Sequence, residues 1–307
     1  MLVGVTLKPE IGWNWPKSWD GKSLMASRAL ITGCNGLLGT AIVRQLNEVG
    51  FTTIGITKDK ESPSLCSQTF YGSATDEELI SEAMVEIDTV IHLAAIRTPR
   101  NDPPRVIFEK NSVSSFNVLT TAAERDVKTI IHASSISAIG YSFSQTPLAP
   151  AYLPIDDDHP CRVSDAYGLS KIVDEQTVRY IQRRYHSKIY AVRFPYVGDA
   201  EVLLPERAAK IAADSNFGSN EFWSYLEIKD AVALTETLIN EQPVLADPVF
   251  AAVAPNTLAK IPTEELIQRH FPDLHDRPTF KEFEGVFTPS KILEKSSFRF
   301  QNIYANS

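Results

Sequence analysis

The chain has 307 residues, 43% of them hydrophobic and 22% charged, with a formal net charge of −8. Such proportions belong to a globular protein with ample material for a core, and they exclude a chain disordered as a whole. The acidic balance excludes a whole-protein basic footprint for nucleic acid or anionic membrane.

The longest clear apolar run, Val90–Ile96, is too short for a membrane span and is interrupted by His92. Met1–Lys8 lacks the basic start of a secretory signal. Three cysteines, Cys34, Cys66 and Cys161, are odd in number and far apart. They predict neither a disulfide framework nor a CxxC metal pair, and they fit a reducing, cytoplasmic setting.

Residues 1–27 carry Trp13, Trp15 and Trp19 but no periodic pattern. They read as an N-terminal extension, either docked on the surface or serving as a lid or dimer arm. From Arg28 the pattern becomes regular. Arg28–Ile31 predicts a strand, and Leu38–Val49 predicts a helix with Ile42, Val43, Leu46 and Val49 on one face. Thr52–Thr57 is a β-branched strand. Asp76 is placed to cap a helix, with Glu77 and Glu78 in its first turn. Thr89–Ala94 and Lys128–Ser134 read as buried parallel strands, Phe108–Arg125 and Asp165–Tyr185 as helices, and Ile189–Arg193 as another strand. This alternation predicts an α/β fold with a doubly wound parallel sheet. Beyond Pro195 it weakens. Pro205–Ala213, Lys229–Asn240 and Thr263–His270 read as helices, and Phe222–Leu226 and Pro248–Ala252 as short strands. Residues 28–195 are expected to form the dinucleotide-binding domain, and 196–307 a small, interleaved substrate lobe.

Gly33, Gly36 and Gly39 sit at the first strand-to-helix turn. A turn without Cβ atoms lets the backbone approach a pyrophosphate, and the helix N-terminus offers free N–H groups to it. The strand before and the helix after are the context that the motif requires. At the end of the second strand, an acidic residue would select NAD and a basic one NADP. Here Thr57 takes the acidic position and Lys58 follows, which leans towards NADP. The alternative is that Asp59 reaches the ribose and the cofactor is NAD.

Tyr167 and Lys171 lie four apart, on one face of a helix. A phenol titrates near 10, too high for a base at neutral pH, and a neighbouring ammonium lowers it. The pair can therefore give and take a proton. Ser134 and Ser135 end the preceding strand, at the edge where ligands bind in open α/β sheets.

Together these motifs resemble the extended short-chain dehydrogenase/reductases of the NAD(P)-dependent epimerase/dehydratase family. The resemblance rests on Thr32-Gly33-x-x-Gly36-x-x-Gly39, Val90-Ile91-His92-Leu93-Ala94-Ala95, Ser134-Ser135 before Gly140, and Tyr167-x-x-x-Lys171. It implies a Rossmann fold with Tyr167 as acid/base and Lys171 holding the nicotinamide ribose. Ser135 would bind the substrate oxygen, and Asn111 matches a family asparagine. Asn35, Leu38, Leu93, Ala94, Ala95, Phe194 and Pro195 would join the glycines around the cofactor. It also implies a homodimer on the helices Phe108–Arg125 and Asp165–Tyr185.

Departures from the family narrow the reaction. Ile136-Ser137 stand where sugar 4,6-dehydratases carry an Asp-Glu pair. Arg193-Phe194-Pro195-Tyr196-Val197-Gly198 lacks the asparagine of nucleotide-sugar epimerases, and the stretch from Gly198 to Phe222 is short. A small polar or sugar-like substrate is therefore expected, with Ser137, Tyr196, Trp223 and Arg97 as candidate contacts. Trp223 and Tyr225 could equally pack in a core. The leading expectation is an oxidoreductase. A nucleotide-sugar epimerase and a non-catalytic dinucleotide sensor are the alternatives. His92 and His132 are expected to pack or bond locally, and Asp156–Asp158 to be a solvated loop beside His159 rather than a metal site.

Overall fold

Alternating apolar strands and amphipathic helices build the chain from β1 (Arg28–Thr32), α1 (Leu37–Glu48), β2 (Thr52–Thr57), β3 (Gln68–Tyr71) and α2 (Glu77–Ala83). They are followed by β4 (Thr89–His92), α3 (Pro104–Glu124), β5 (Thr129–Ser135), α4 (Ala166–Arg184), β6 (Lys188–Phe194) and β7 (Tyr196–Gly198). The rest comprises α5 (Leu203–Ala213), β8 (Tyr225–Glu227), α6 (Ile228–Glu241), β9 (Val249–Ala251), α7 (Thr263–His270) and α8 (Ile292–Lys295). The computed structural model describes residues 27–144, 148–288 and 290–305. The tryptophan-bearing extension lies outside them.

Seven parallel strands run in the order β3-β2-β1-β4-β5-β6-β9, and β7 and β8 form a separate parallel pair. The chain reverses its direction of winding between β1 and β4, where a doubly wound sheet opens a crevice for ligands. Register aligns Thr32 with His92 and His92 with His132. A polar row thus crosses three central strands near that edge.

Helices cover both faces, so the strands are apolar on both. One face packs Ile42, Leu46, Ile91, Val192, Leu234 and Phe250, and the other Ile54, Val90, Val118, Ile130, Val178 and Ile181. Each such side chain taken wholly from water contributes roughly 1.5–3 kcal/mol. A third core gathers Tyr141, Leu153 and Ile155 with Trp223, Tyr225, Phe271 and Phe280. These cores run across Pro195: β9 joins the sheet and α6 packs on one of its faces, while Tyr141, Leu153 and Ile155 belong to the third core.

Several elements differ from the sequence reading, each for a local reason. β4 stops at His92 because Leu93 N and Ala94 N turn to the Thr32 hydroxyl, at 3.2 and 3.1 Å. α3 starts at Pro104, earlier than its apolar pattern, since proline is preformed for a first helical position. Phe222 and Trp223 adopt left-handed φ values of 54° and 52°, so the expected strand there shortens to Tyr225–Glu227. β3 escaped notice because it is a largely exposed strand with little apolar signal. Among the described residues, no helix is long and apolar enough to cross a membrane.

Candidate active site

The turn after β1 is too tight for side chains. Gly33 holds a φ of +72°, and a Cβ on Gly39 would lie 2.3 Å from the Gly33 carbonyl oxygen. The α1 N-cap, Gly36, contributes no capping side chain to the first N–H groups of that helix. These are the properties of a cradle for phosphate oxygens. Leu38 is half-buried on α1, and Leu93, Ala94 and Ala95 are half-buried just beyond β4. Phe194 ends β6 buried, with Pro195 half-buried beside it.

Asn35 does more bracing than the sequence suggests. Its amide donates to the Asp59 and Ser62 carbonyls at 3.4 and 3.1 Å, tying the glycine turn to the loop after β2. In that loop Thr57 is buried, and its hydroxyl accepts Asp59 N at 3.1 Å. The Asp59 carboxylate accepts Ser62 N and Glu61 N, at 3.1 and 2.9 Å. Hydrogen bonds from Ser62, then from the Glu61 backbone, keep it below the usual carboxylate range. Asp59 is thus occupied within its own loop, while Lys58 is exposed.

Asp165 caps α4 by accepting Gly168 N at 2.8 Å, which places Tyr167 and Lys171 on the first turns of that helix. Both are buried. The Lys171 ammonium lies 5.9 Å from the Tyr167 ring centre and donates to the Ala133 carbonyl at 2.9 Å. Two residues on, at the end of β5, Ser135 Oγ donates to Ser137 Oγ and accepts Ser137 N, both at 3.1 Å. A Cβ on Gly168 would stand 2.7 Å from the Ser137 carbonyl oxygen, so the start of α4 lies directly against this serine turn. Tyr167, Lys171, Ser135 and Ser137 are therefore brought together. Phe143 packs edge-on to Tyr167 with ring centres 5.8 Å apart, and the Arg100 guanidinium stacks over Phe143 at 5.7 Å.

Asn111 is buried and its side chain is fully engaged. It accepts Ile96 N at 2.8 Å and donates to Ile96 O at 3.0 Å and Ser170 Oγ at 3.1 Å. It braces the segment after β4 against α4.

Beneath these residues lies a buried polar chain that the sequence reading missed. The Asp174 carboxylate sits 3.3 Å from Lys171 Nζ and 3.2 Å from His132 Nε2. His132 stacks on His92 at 5.4 Å, and His92 meets the Thr32 and Ser115 hydroxyls at 2.7 and 3.3 Å. Burial pushes both imidazoles below their ordinary range, so they are neutral at pH 7. Burial works against the Asp174 anion, but the Lys171 ammonium and the His132 ring outweigh it and hold that carboxyl low. Asp174 is thus the counter-ion of Lys171. Its spacing, one helical turn from Lys171, was the signal available. Next to it, Glu175 grips Arg193 at 2.8 and 2.9 Å and accepts the Ser134 hydroxyl at 2.7 Å, clamping α4 to β5 and β6.

Other candidates separate. Arg97 is exposed at the rim. Tyr196 is half-buried under the Arg207 guanidinium, which lies 4.1 Å from its ring centre and pairs with Glu221. Trp223 is corrected: it is completely buried in the lobe core, with Nε1 donating to Ser215 O at 2.8 Å, and offers no surface to a substrate. The acidic loop is not simply solvated either. Asp157 accepts Ala251 N at 2.7 Å, fastening the loop to β9. Among the described residues no group of three potential ligands could hold a metal ion.

The chain belongs to the NAD dependent epimerase/dehydratase family, whose model matches residues 29–198. It is 30% identical over 148 residues to the dTDP-6-deoxy-L-talose 4-dehydrogenase (NAD(+)) of Aggregatibacter actinomycetemcomitans, covering 46% of this chain and 50% of that protein. To the UDP-glucose 4-epimerase of Halalkalibacterium halodurans it is 27% identical over 172 residues, 54% of this chain and 49% of that one. The chain thus spans about half the length of these relatives. The fold matches a solved short-chain dehydrogenase/reductase superfamily protein from Agrobacterium tumefaciens with bound NAD. That match has a TM-score of 0.67 and 22% identity, and it covers 90% of this chain and 93% of that one.

Proposed function

We propose that the chain is an oxidoreductase that interconverts a carbinol and a carbonyl on a small polar or sugar-like substrate, with NAD(P) supplying or accepting the hydride. The observation that carries this reading is the buried Tyr167–Lys171 pair, locked by the Ala133 carbonyl beside Ser135 at the sheet edge. Ser135 and Ser137 orient the substrate oxygen. Tyr167 exchanges its hydroxyl proton, and Lys171 holds a fixed positive charge 5.9 Å from its ring centre. Asn111 acts by holding the wall of the cleft. Gly33, Gly36 and Gly39 cradle the pyrophosphate, with Leu93, Ala94, Ala95, Phe194 and Pro195 lining the rest. Lys58 is exposed at the end of β2 while Asp59 is turned into its own loop, which supports NADP over NAD.

Arg97 and Arg100 at the rim favour a substrate with an anionic group. Exposed Val113 and Phe116 on α3, with Leu169 and Tyr180 on α4, suit a homodimer joined through those helices.

The curated relatives also support a second reading, a nucleotide-sugar epimerase. The two readings differ in net redox change. Purified protein is screened with sugar acids, aldoses and UDP-sugars for a change in absorbance at the nicotinamide band. Net turnover supports the oxidoreductase, and epimerised product without net NAD(P)H change overturns it. Tyr167→Phe is expected to lower turnover roughly 10²–10⁴-fold while dinucleotide binding persists.

A further inference from the structure

Cys34 and Cys66 are distant in sequence and adjacent in space. Cys34 lies inside the glycine turn, and Cys66 just before β3. Between them is Gly55 of β2. A Cβ there would stand 2.6 Å from the Cys34 sulfur and 2.8 Å from the Cys66 sulfur. The two sulfurs share the space that any side chain at position 55 would fill. Ser64 completes the cluster: its hydroxyl is 4.0 Å from the Cys34 sulfur and accepts Cys66 N at 3.2 Å.

We propose that Cys34 and Cys66 form a peroxide-reactive modification site whose oxidation joins the glycine turn to the loop after β2 and weakens dinucleotide binding. The pair is asymmetric, as such chemistry requires. Cys66 is half-buried beside the exposed Leu65, whereas Cys34 is buried. Bonding from the Cys34 thiol, helped by the Ser64 and Thr53 hydroxyls, brings the Cys66 thiol down to about 7 against its burial. Cys66 and burial push the Cys34 thiol up. The more accessible Cys66 sulfur is therefore the readier thiolate of the two, and the deeper Cys34 keeps its proton.

The chemistry balances with one hydroperoxide. The Cys66 thiolate attacks one peroxide oxygen. An S–O bond forms, the O–O bond breaks, and the departing hydroxide takes a proton to become water. The Cys34 sulfur then attacks the sulfenic acid, an S–S bond forms, and the S–O bond breaks. The oxygen leaves as a second water carrying the Cys34 proton. Two thiols lose two electrons, and one hydrogen peroxide becomes two waters.

The consequence for the cofactor rests on the proposed dinucleotide site and follows from how tightly the turn is built. A Cβ on Gly39 would meet the Cys34 Cα at 2.9 Å. A disulfide sets its own Cβ–Cβ separation of roughly 3.5–4.5 Å, and any backbone movement it asks of Cys34 passes directly to the turn on α1.

The test exposes the full chain to equimolar hydrogen peroxide, then reads intact mass, peptide mapping without reductant, and NAD(P)H affinity by fluorescence. The expected result is loss of two hydrogens, one linked peptide containing Cys34 and Cys66, and an affinity lowered about tenfold that dithiothreitol restores. Cys34→Ser should accumulate a dimedone-trappable sulfenic acid at Cys66, Cys66→Ser should form no link, and Cys161→Ser should link like the parent. A parent chain that keeps both thiols, or that is oxidised only at Cys161, overturns the site. A link that leaves dinucleotide affinity unchanged overturns its regulatory consequence. Because the link is read by mass, it stands or falls even if the reduced chain binds no dinucleotide, an outcome that would instead refute the cofactor assignment.

Discussion

Between β1 and α4 the chain buries Thr32, His92, His132, Asp174 and Lys171 as one connected row, whereas the lobe around Trp223 buries aromatic rings. In the row, adjacent groups are joined by a hydrogen bond, a ring stack, a close imidazole–carboxylate approach and an ion pair, so stability there is a balance of charge and proton position. In the lobe Phe222 meets Tyr141, Phe271 and Phe287 ring against ring, with centres 5.5 to 6.2 Å apart. Stability there is a matter of filled volume. The same degree of burial therefore makes the two regions vulnerable to different substitutions.

The largest effect is expected at Asp174. Removing it by Asp174→Ala leaves the Lys171 ammonium buried without its counter-ion, at a cost of about 3–5 kcal/mol. Denaturant unfolding checks the stability loss, and turnover should fall with it, because Lys171 loses its anchor. Were Asp174→Ala as stable as the parent, the row would be loosely held and the contrast with the lobe would collapse.

Trp223→Ala probes the other side. Loss of that indole should cost about 3–5 kcal/mol through the cavity it leaves. At temperatures well below the melting transition, KM should stay at the parent value. A raised KM in a chain of unchanged melting temperature would return Trp223 to the substrate site and show that the lobe does more than pack.

The contrast also explains what could be read in advance. The glycine turn, the serines ending β5, and Tyr167 with Lys171 were legible because each depends on short spacing and on one element's own geometry. Asp174 fell within the same helix yet passed unnoticed, since its meaning depends on His132 from β5 lying beside it. The row Thr32, His92 and His132 exists only once parallel register brings three strands together. Cys34 and Cys66 likewise meet only because β2 offers a glycine between them. In the lobe, the left-handed backbone at Phe222 and Trp223 hid behind residues that favour strands by propensity. Aromatic side chains suit a binding face and a core equally well, and only their final burial separates the two.

Glu227, at the join between β8 and α6, lies where these regimes meet and gives the smallest, pH-dependent effect. Its side chain is buried; one oxygen accepts Lys229 N at 2.5 Å, and among the described residues the other has no hydrogen-bond partner. Burial pushes this carboxyl up to about 7, from an ordinary 4.5. A raised carboxyl means that the folded chain holds a proton which the unfolded chain releases at lower pH. The associated stability is fully present below pH 4.5, declines as pH rises, and is gone above about 7. The change amounts to as much as ~3 kcal/mol. Glu227→Gln removes the titration and keeps the shape. Thermal melts should therefore show the variant gaining on the parent from pH 5 to 7.5, with no further change above that. A gap that stays constant across this range would mean that Glu227 is ionised in the fold as it is outside it. The junction would then tolerate a buried charge as the Asp174 row does, rather than excluding charge as the aromatic lobe does.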